Sequence, residues 1–244
     1  MLLADALPHL TTPHGARPGD DFPVVAWLGE GGPDPVSAAS AGLVHARVAY
    51  RSGLTGWLQF PADAPSHYRA VADCSASLVW LQRNVEAFGG DPTNITVVGS
   101  GEAAAIALWL TRRDHYRGDF RRAAAIAPAF PRRGLQSRKW IIRGALGIPL
   151  TESAVDDLAA RKPEKFARAE RRLALLSPAT TPLGPFPFDA GELAAVPLLV
   201  APGADERGAS FAAALADEAP GPVTVEPLRV GDDLWRNPFL RGGS

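Results

Sequence analysis

Trp80-Leu-Gln-Arg-Asn-Val-Glu-Ala-Phe-Gly-Gly-Asp-Pro-Thr-Asn-Ile-Thr-Val-Val-Gly-Ser-Gly-Glu-Ala-Ala-Ala105 is the stretch that decides the fold. Apolar residues at helical spacing (Val71, Leu78, Leu81, Val85, Phe88) predict a helix over 66–88 that leads into it. Gly89-Gly90 stops that helix, and Asp91-Pro92 turns the chain. Asn94 to Val98 is rich in β-branched residues and reads as a strand. Gly99-Ser100-Gly101 is a sharp turn, and Glu102 to Thr111 is an Ala-rich helix.

Working outward, the same alternation recurs. Pro23 to Leu28 is an apolar strand ending in Gly29-Glu30-Gly31-Gly32, and His45 to Tyr50 is a second. Further strands fall at Arg122–Ala127, Val196–Val200 and Val223–Val230, with a helix over 208–218. Strands that are apolar on both faces and alternate with helices predict an α/β fold, a doubly wound, mostly parallel sheet. Residues 134–176 hold two or three amphipathic helices, followed by a Pro-rich loop from Pro178 to Asp189. The expected organisation is a loose N-terminal segment over 1–21, then a single domain over 22–244. Residues 131–190 form a small helical cap-like insertion within it.

Composition narrows the classes. The chain has 244 residues, 46% hydrophobic and 21% charged, with a net charge of -1. That is too apolar and too balanced for a disordered chain. It also argues against a general nucleic-acid binder. One cysteine, Cys74, excludes an internal disulfide framework and a thiolate zinc site, and no metal site is expected. The N-terminus has no positive n-region followed by a long apolar run, and no stretch approaches the ~18 residues of a membrane span. A soluble cytoplasmic protein is the expectation.

The turn at 99–104 fits two functional patterns. G-x-G-x-x-A after a strand and before a helix matches a dinucleotide fingerprint. That reading lacks the acidic residue at the end of the next strand, since Asp119 precedes the strand. No cofactor is therefore expected. The second pattern is the nucleophile elbow, G-x-S-x-G, at the same place in the fold.

The flanking residues favour the second. The run from Trp80 to Gly99 resembles the type-B carboxylesterases, the carboxylesterase/lipase and cholinesterase-like family of α/β-hydrolases. In that family W-[VL]-Q-x-N-[IV]-x-x-F-G-G-D-P-x-N leads into the elbow. Other segments resemble the family in order. Pro23 to Gly32 is similar to its strand and oxyanion loop, and Tyr50-Arg51-Ser-Gly-Leu-Thr-Gly56-Trp-Leu58 to its N-Y-R-x-G-x-x-G-[FW]-L. Val196 to Glu206 is similar to the strand leading to the catalytic acid. The resemblance covers most of 22–210, in a chain much shorter than the family norm. It implies a reduced α/β-hydrolase fold.

Residue by residue, the resemblance implies a degenerate catalytic triad. The nucleophile position falls on Gly101, which has no side chain to attack a carbonyl; Ser100 stands one residue early. The base position falls on Val230, and no histidine follows His115. Glu206 occupies the acid position. Gly31 and Gly32 match oxyanion-donor glycines, while Glu102 follows the nucleophile position, where a carboxylate opposes oxyanion binding. Two triad members lost together imply a non-hydrolytic protein that binds a small molecule or a partner. An alternative is a repurposed cyclase, isomerase or lyase using carboxylates such as Glu102 or Glu206 for proton transfer. A weaker alternative is an esterase that uses Ser100.

The strand-end rim would gather Glu30, Tyr50, Arg51, Asp205 and Asp232 into a polar pocket. Between Arg112 and Arg143, ten basic residues face two acids, a local excess that would steer an acidic protein partner. Trp140, Ile141, Ile142 and Phe166 in the reduced cap are expected to offer an apolar association surface, with homo-oligomerisation as one outcome.

Overall fold

The computed structural model describes residues 7–60, 63, 68–130, 139–176, 189–203, 206–228 and 230–242. Its contacts divide the chain into two compact units. The first comprises Met1–Tyr50, Asp73–Ala129 and Phe188–Ser244; the second comprises Arg51–Ala72 and Phe130–Pro187.

The first unit is built on a seven-stranded sheet. Its strands are β1 (His9–Thr11), β2 (Phe22–Leu28), β3 (Val44–Val48), β4 (Gly90–Ser100), β5 (Arg122–Ile126), β6 (Leu198–Ala201) and β7 (Val223–Val225). The order is β1-β3-β2-β4-β5-β6-β7, and every pairing is parallel except β1 with β3. The parallel pairs need crossovers, supplied by α1 (Pro35–Ser40), α3 (Arg69–Asn84), α4 (Glu102–Leu110) and α8 (Glu206–Glu218). Residues expected to be loose before position 22 thus contribute β1. His9, Leu10 and Thr11 pair with Arg47, Ala46 and His45, because an otherwise open edge of β3 offers them a ladder.

Central β4 and β5 are apolar on both faces, and Ile95, Val97, Val98 and Ala124 are fully buried. Helix α4 is buried almost all round, which fits its four alanines. Small residues let it approach β4 closely: a Cβ on Gly99 would lie 2.2 Å from the Ala103 carbonyl oxygen.

One sheet face, with Val25, Trp27, Val98, Ala124, Ile126, Leu199 and Ala201, packs against Ala38 and Leu43 and against the C-terminal segment. That segment holds a 3-10 helix, Asp232–Arg236, and α9 (Pro238–Arg241). It contributes Leu234, Trp235 and Leu240, each at most 1% exposed. Polar ties hold it in place. Asn237 donates to Glu226 (2.8 Å), Arg122 to the Phe239 carbonyl (3.5 Å), and Arg241 to the Ala41 carbonyl. The strand expected over 223–230 therefore stops at Val225. Pro227 has no amide for a ladder, and Leu228 packs on the core below the sheet face.

The second unit contains α2 (Gly53–Trp57) and three helices, α5 (Lys139–Leu146), α6 (Glu152–Arg161) and α7 (Pro163–Leu176). Their apolar residues recur at helical spacing: Ile142 and Leu146, Val155 and Leu158, Phe166 and Ala169 are buried. Buried Arg69 reaches Glu152 at 3.2 Å and stacks over Phe60. Glu170 of α7 accepts from the Leu54 amide at 2.8 Å, capping α2. This unit is wider than the expected insertion over 131–190, because residues 51–72 join it. The Pro-rich loop lies outside the described residues. Ile142 and Phe166, expected on an association surface, are core here; Trp140 alone of that set is strongly exposed. Among the described residues no helix is long and apolar enough to cross a membrane.

Candidate active site

The turn after β4 is an elbow in backbone terms. Ser100 is the last residue of β4, paired in register with Ile126. Gly101 follows at φ +62° and ψ -119°, a region that side chains rarely adopt. Its amide donates to the Ile126 carbonyl (2.9 Å), and its carbonyl accepts from Ala129 (3.0 Å). Ala127, itself at φ +48°, donates to the Ala201 carbonyl at 2.7 Å. The ends of β4, β5 and β6 thus hold the turn. A Cβ built on Gly101 would meet nothing within 4 Å. The strained turn and the open space before it are both present, and the residue there is a glycine.

The glycine-rich loop after β2 lies against aromatic rings. Gly29, at φ +86°, donates to the Val48 carbonyl (2.8 Å), and its Cα faces the Tyr50 ring so closely that a Cβ would sit 3.2 Å from Cε1. Gly32 lies on the Trp27 indole, where a Cβ would be 2.5 Å from Nε1. Gly31 is at φ +78°. Glu30 turns to the surface and pairs with Arg47 at 3.6 Å.

Tyr50 and Glu102 are brought together: a side-chain hydrogen bond joins them. Burial, and then the Glu102 charge, push the Tyr50 phenol above its ordinary range. The phenol therefore stays protonated and donates to the carboxylate. Cys74, deep in α3, is also driven up by burial, so it offers no thiolate.

The other expected site residues stand on separate elements. Glu206 is the first residue of α8 and Asp232 the first of the 3-10 helix. Asp205 lies outside the described residues, and Arg51 belongs to the second unit. Val230 is 41% exposed on the segment that leads to the buried Leu234 and Trp235. Two of the histidines are held within the fold. His115 bonds Asp114 through Nδ1 (2.9 Å) and accepts from the Trp109 indole through Nε2 (3.3 Å), so both ring nitrogens are occupied. Burial opposes ionisation of Asp114, yet bonds from Arg112 and His115 hold it at about 2. His45 is buried on β3 edge-on to Trp235, with ring centroids 5.5 Å apart. The sequence shows His45 only as the start of a strand; its contact with Trp235 comes from three-dimensional packing.

Within the basic segment Arg112, Arg113 and Arg122 are tied into the fold, whereas Arg117, Arg121 and Arg143 are exposed. Arg112 pairs with Asp114 and Glu192, both at 3.0 Å, and stacks on Trp109. Arg113 donates to the Leu193 and Gly191 carbonyls. Arg122 is buried with Asn94 and Thr96 as acceptors, and desolvation lowers its affinity for a proton. Arg132, Arg133 and Arg138 lie outside the described residues. Among those described, no group of three or more His, Cys, Asp or Glu side chains is placed to hold a metal ion.

A mostly parallel sheet whose central strand ends in a strained turn and a buried helix defines the α/β-hydrolase class. Within that class, the carboxylesterase family model matches residues 15–164, and the chain belongs to that family. It is 33% identical over 125 residues to a probable N-octanoylanthranilate hydrolase of Rhodococcus erythropolis, covering 47% of this chain and 27% of that protein. It is 36% identical over 90 residues to human neuroligin-2, covering 37% and 11%. The juvenile hormone esterase of Manduca sexta superposes with a TM-score of 0.65 at 22% identity, over 80% of this chain and 44% of that one. The chain spans about a quarter or less of these curated relatives and less than half of that solved structure.

Proposed function

We propose that this chain is a non-hydrolytic member of the carboxylesterase family, with a strand-end site that binds a small molecule without forming an acyl-enzyme. The observation that carries the reading is Gly101: the elbow turn has its backbone geometry and open space, but no side chain to attack. Glu102 adds a carboxylate beside the position where an oxyanion would form, which disfavours the tetrahedral intermediate of acyl transfer. Relatives named as an N-octanoylanthranilate hydrolase and a fumonisin B1 esterase suggest ligands that carry an acyl group.

Purified protein is expected to hydrolyse no p-nitrophenyl acetate and to take no fluorophosphonate label. A label mapped to Ser100 would overturn the reading in favour of an esterase with a displaced serine. The paired variant Gly101→Ser and Val230→His asks whether the scaffold still positions a nucleophile. A fluorophosphonate label at position 101 would show that only the side chain was lost.

The Tyr50–Glu102 bond favours a second reading, an isomerase- or lyase-type enzyme in which Glu102 accepts a proton and the Tyr50 phenol donates one. Under it, Glu102→Gln abolishes the proton-transfer step while ligand binding persists. Unchanged turnover in that variant rejects it.

A further inference from the structure

A cleft of about 500 Å³ lies in the first unit, between α1 and the C-terminal segment. Helix α1 lines it with Val36, Ser37 and Ser40, and Trp235, Arg236 and Arg241 line it from the C-terminal side. Its charge is lopsided. Asp34 is the only acid among the lining residues, and it is already committed as the N-cap of α1. Its oxygens accept from the Val36 amide (3.2 Å) and from the Ser37 amide and hydroxyl (both 3.1 Å). Among the described residues Arg236 pairs with Asp233, at 3.4 Å between two largely exposed side chains, a contact worth little in water. Arg241 gives one nitrogen to the Ala41 carbonyl. Both arginines line the cleft.

Trp235 forms the buried wall of the cleft. Trp235 is 1% exposed, and its indole nitrogen has no hydrogen-bond partner. Trp27 stands edge-on behind it, with ring centroids 6.4 Å apart, and its indole nitrogen is unpartnered too. A buried donor without an acceptor costs free energy, and a cluster of them calls for explanation. The cleft itself sets Arg236 and Arg241 against the one committed carboxylate of Asp34, with Val36 and Ala41 as apolar surface.

We propose that this cleft binds a small organic carboxylate, its carboxyl group between Arg236 and Arg241 and its apolar body against Val36 and Ala41. Two planar guanidinium forks suit a carboxylate better than ammonium groups would, because each can give paired hydrogen bonds. The site is separate from the strand-end site, and either can fail without the other.

Sodium benzoate and inorganic phosphate, titrated at low ionic strength, test it by calorimetry and by the indole N–H resonance of Trp235, assigned through Trp235→Phe. Benzoate is expected to bind saturably, to move that resonance, and to bind about tenfold more weakly to the Arg236→Gln, Arg241→Gln double variant. Arg241 also ties α9 to α1, so the exposed Arg236→Gln alone serves as a second variant that keeps the fold, with about threefold weakening expected. Glu102→Gln should leave benzoate affinity unchanged. Absence of saturable binding overturns the proposal, as does equal affinity in both arginine variants. Phosphate binding as tightly as benzoate also overturns it, since the apolar wall would then contribute nothing.

Discussion

The elbow at Gly101 and the aromatic cluster under the C-terminal segment are opposite solutions in one sheet. At the elbow the backbone is strained and tightly bonded, and the side chain is absent. Under the C-terminal segment the side chains are large and fully packed, and their polar atoms go unpartnered. The contrast separates two demands. Holding the turn needs only backbone bonds and a close strand–helix approach at Gly99, whether or not a nucleophile is there. Covering the sheet face needs apolar bulk, and Trp27, His45 and Trp235 supply it at the expense of satisfied nitrogens.

The largest expected effect breaks the packed side of this comparison. Trp235→Ala empties a site at the centre of the cluster and should cost about 3–5 kcal/mol, read as a drop in the urea midpoint. A loss under about 1 kcal/mol would mean that the C-terminal segment does not cover the face. The next effect uses pH. Burial, then the charges of Arg47 and His9, lower His45 to about 4 against an ordinary 6.5, with Asp34 opposing. The folded protein therefore keeps His45 neutral while the unfolded chain protonates it. Stability from this group is complete above about pH 6.5 and falls as pH drops toward 4, by roughly 3 kcal/mol in all. His45→Leu should flatten that slope; equal slopes in variant and wild type would show that other groups carry it. A pair of variants that ends on the smallest effect sharpens the elbow side. Gly99→Ala drives a methyl into the α4 backbone and should cost about 3 kcal/mol. Gly101→Ala enters open space and meets only the backbone penalty, about 1–2 kcal/mol. Equal costs would deny the space in front of the elbow.

What the sequence made legible was local. β4, its glycine turn and α4 follow from a β-branched run, two glycines and an alanine-rich stretch within twenty residues. The amphipathic helices of the second unit follow from spacing alone. Non-local features were hidden. Strand β4 begins at Gly90, earlier than its β-branched core, because Phe22 pairs with Gly90 across an irregularity in β2. The Tyr50–Glu102 bond joins residues from different crossovers, and no motif links them. His45 reads only as the start of a strand, since burial beside Trp235 depends on how the C-terminal segment returns. Residues 51–72 group with the helices after β5 for the same reason: contact, not adjacency, defines the unit.

The return of the C-terminal segment also bears on how the molecule is made. Arg241 bonds a carbonyl 200 positions earlier in the chain, and Arg122 reaches 117 positions ahead to Phe239. Contacts of such long separation close late, because loop-closure entropy is lost before they repay it. A growing chain will therefore have β2 to β6 in hand while Val25, Trp27 and Val98 still face water. Until residues 228–242 have emerged and folded back, that sheet face is a surface for chaperones to bind and for neighbouring nascent chains to stick to.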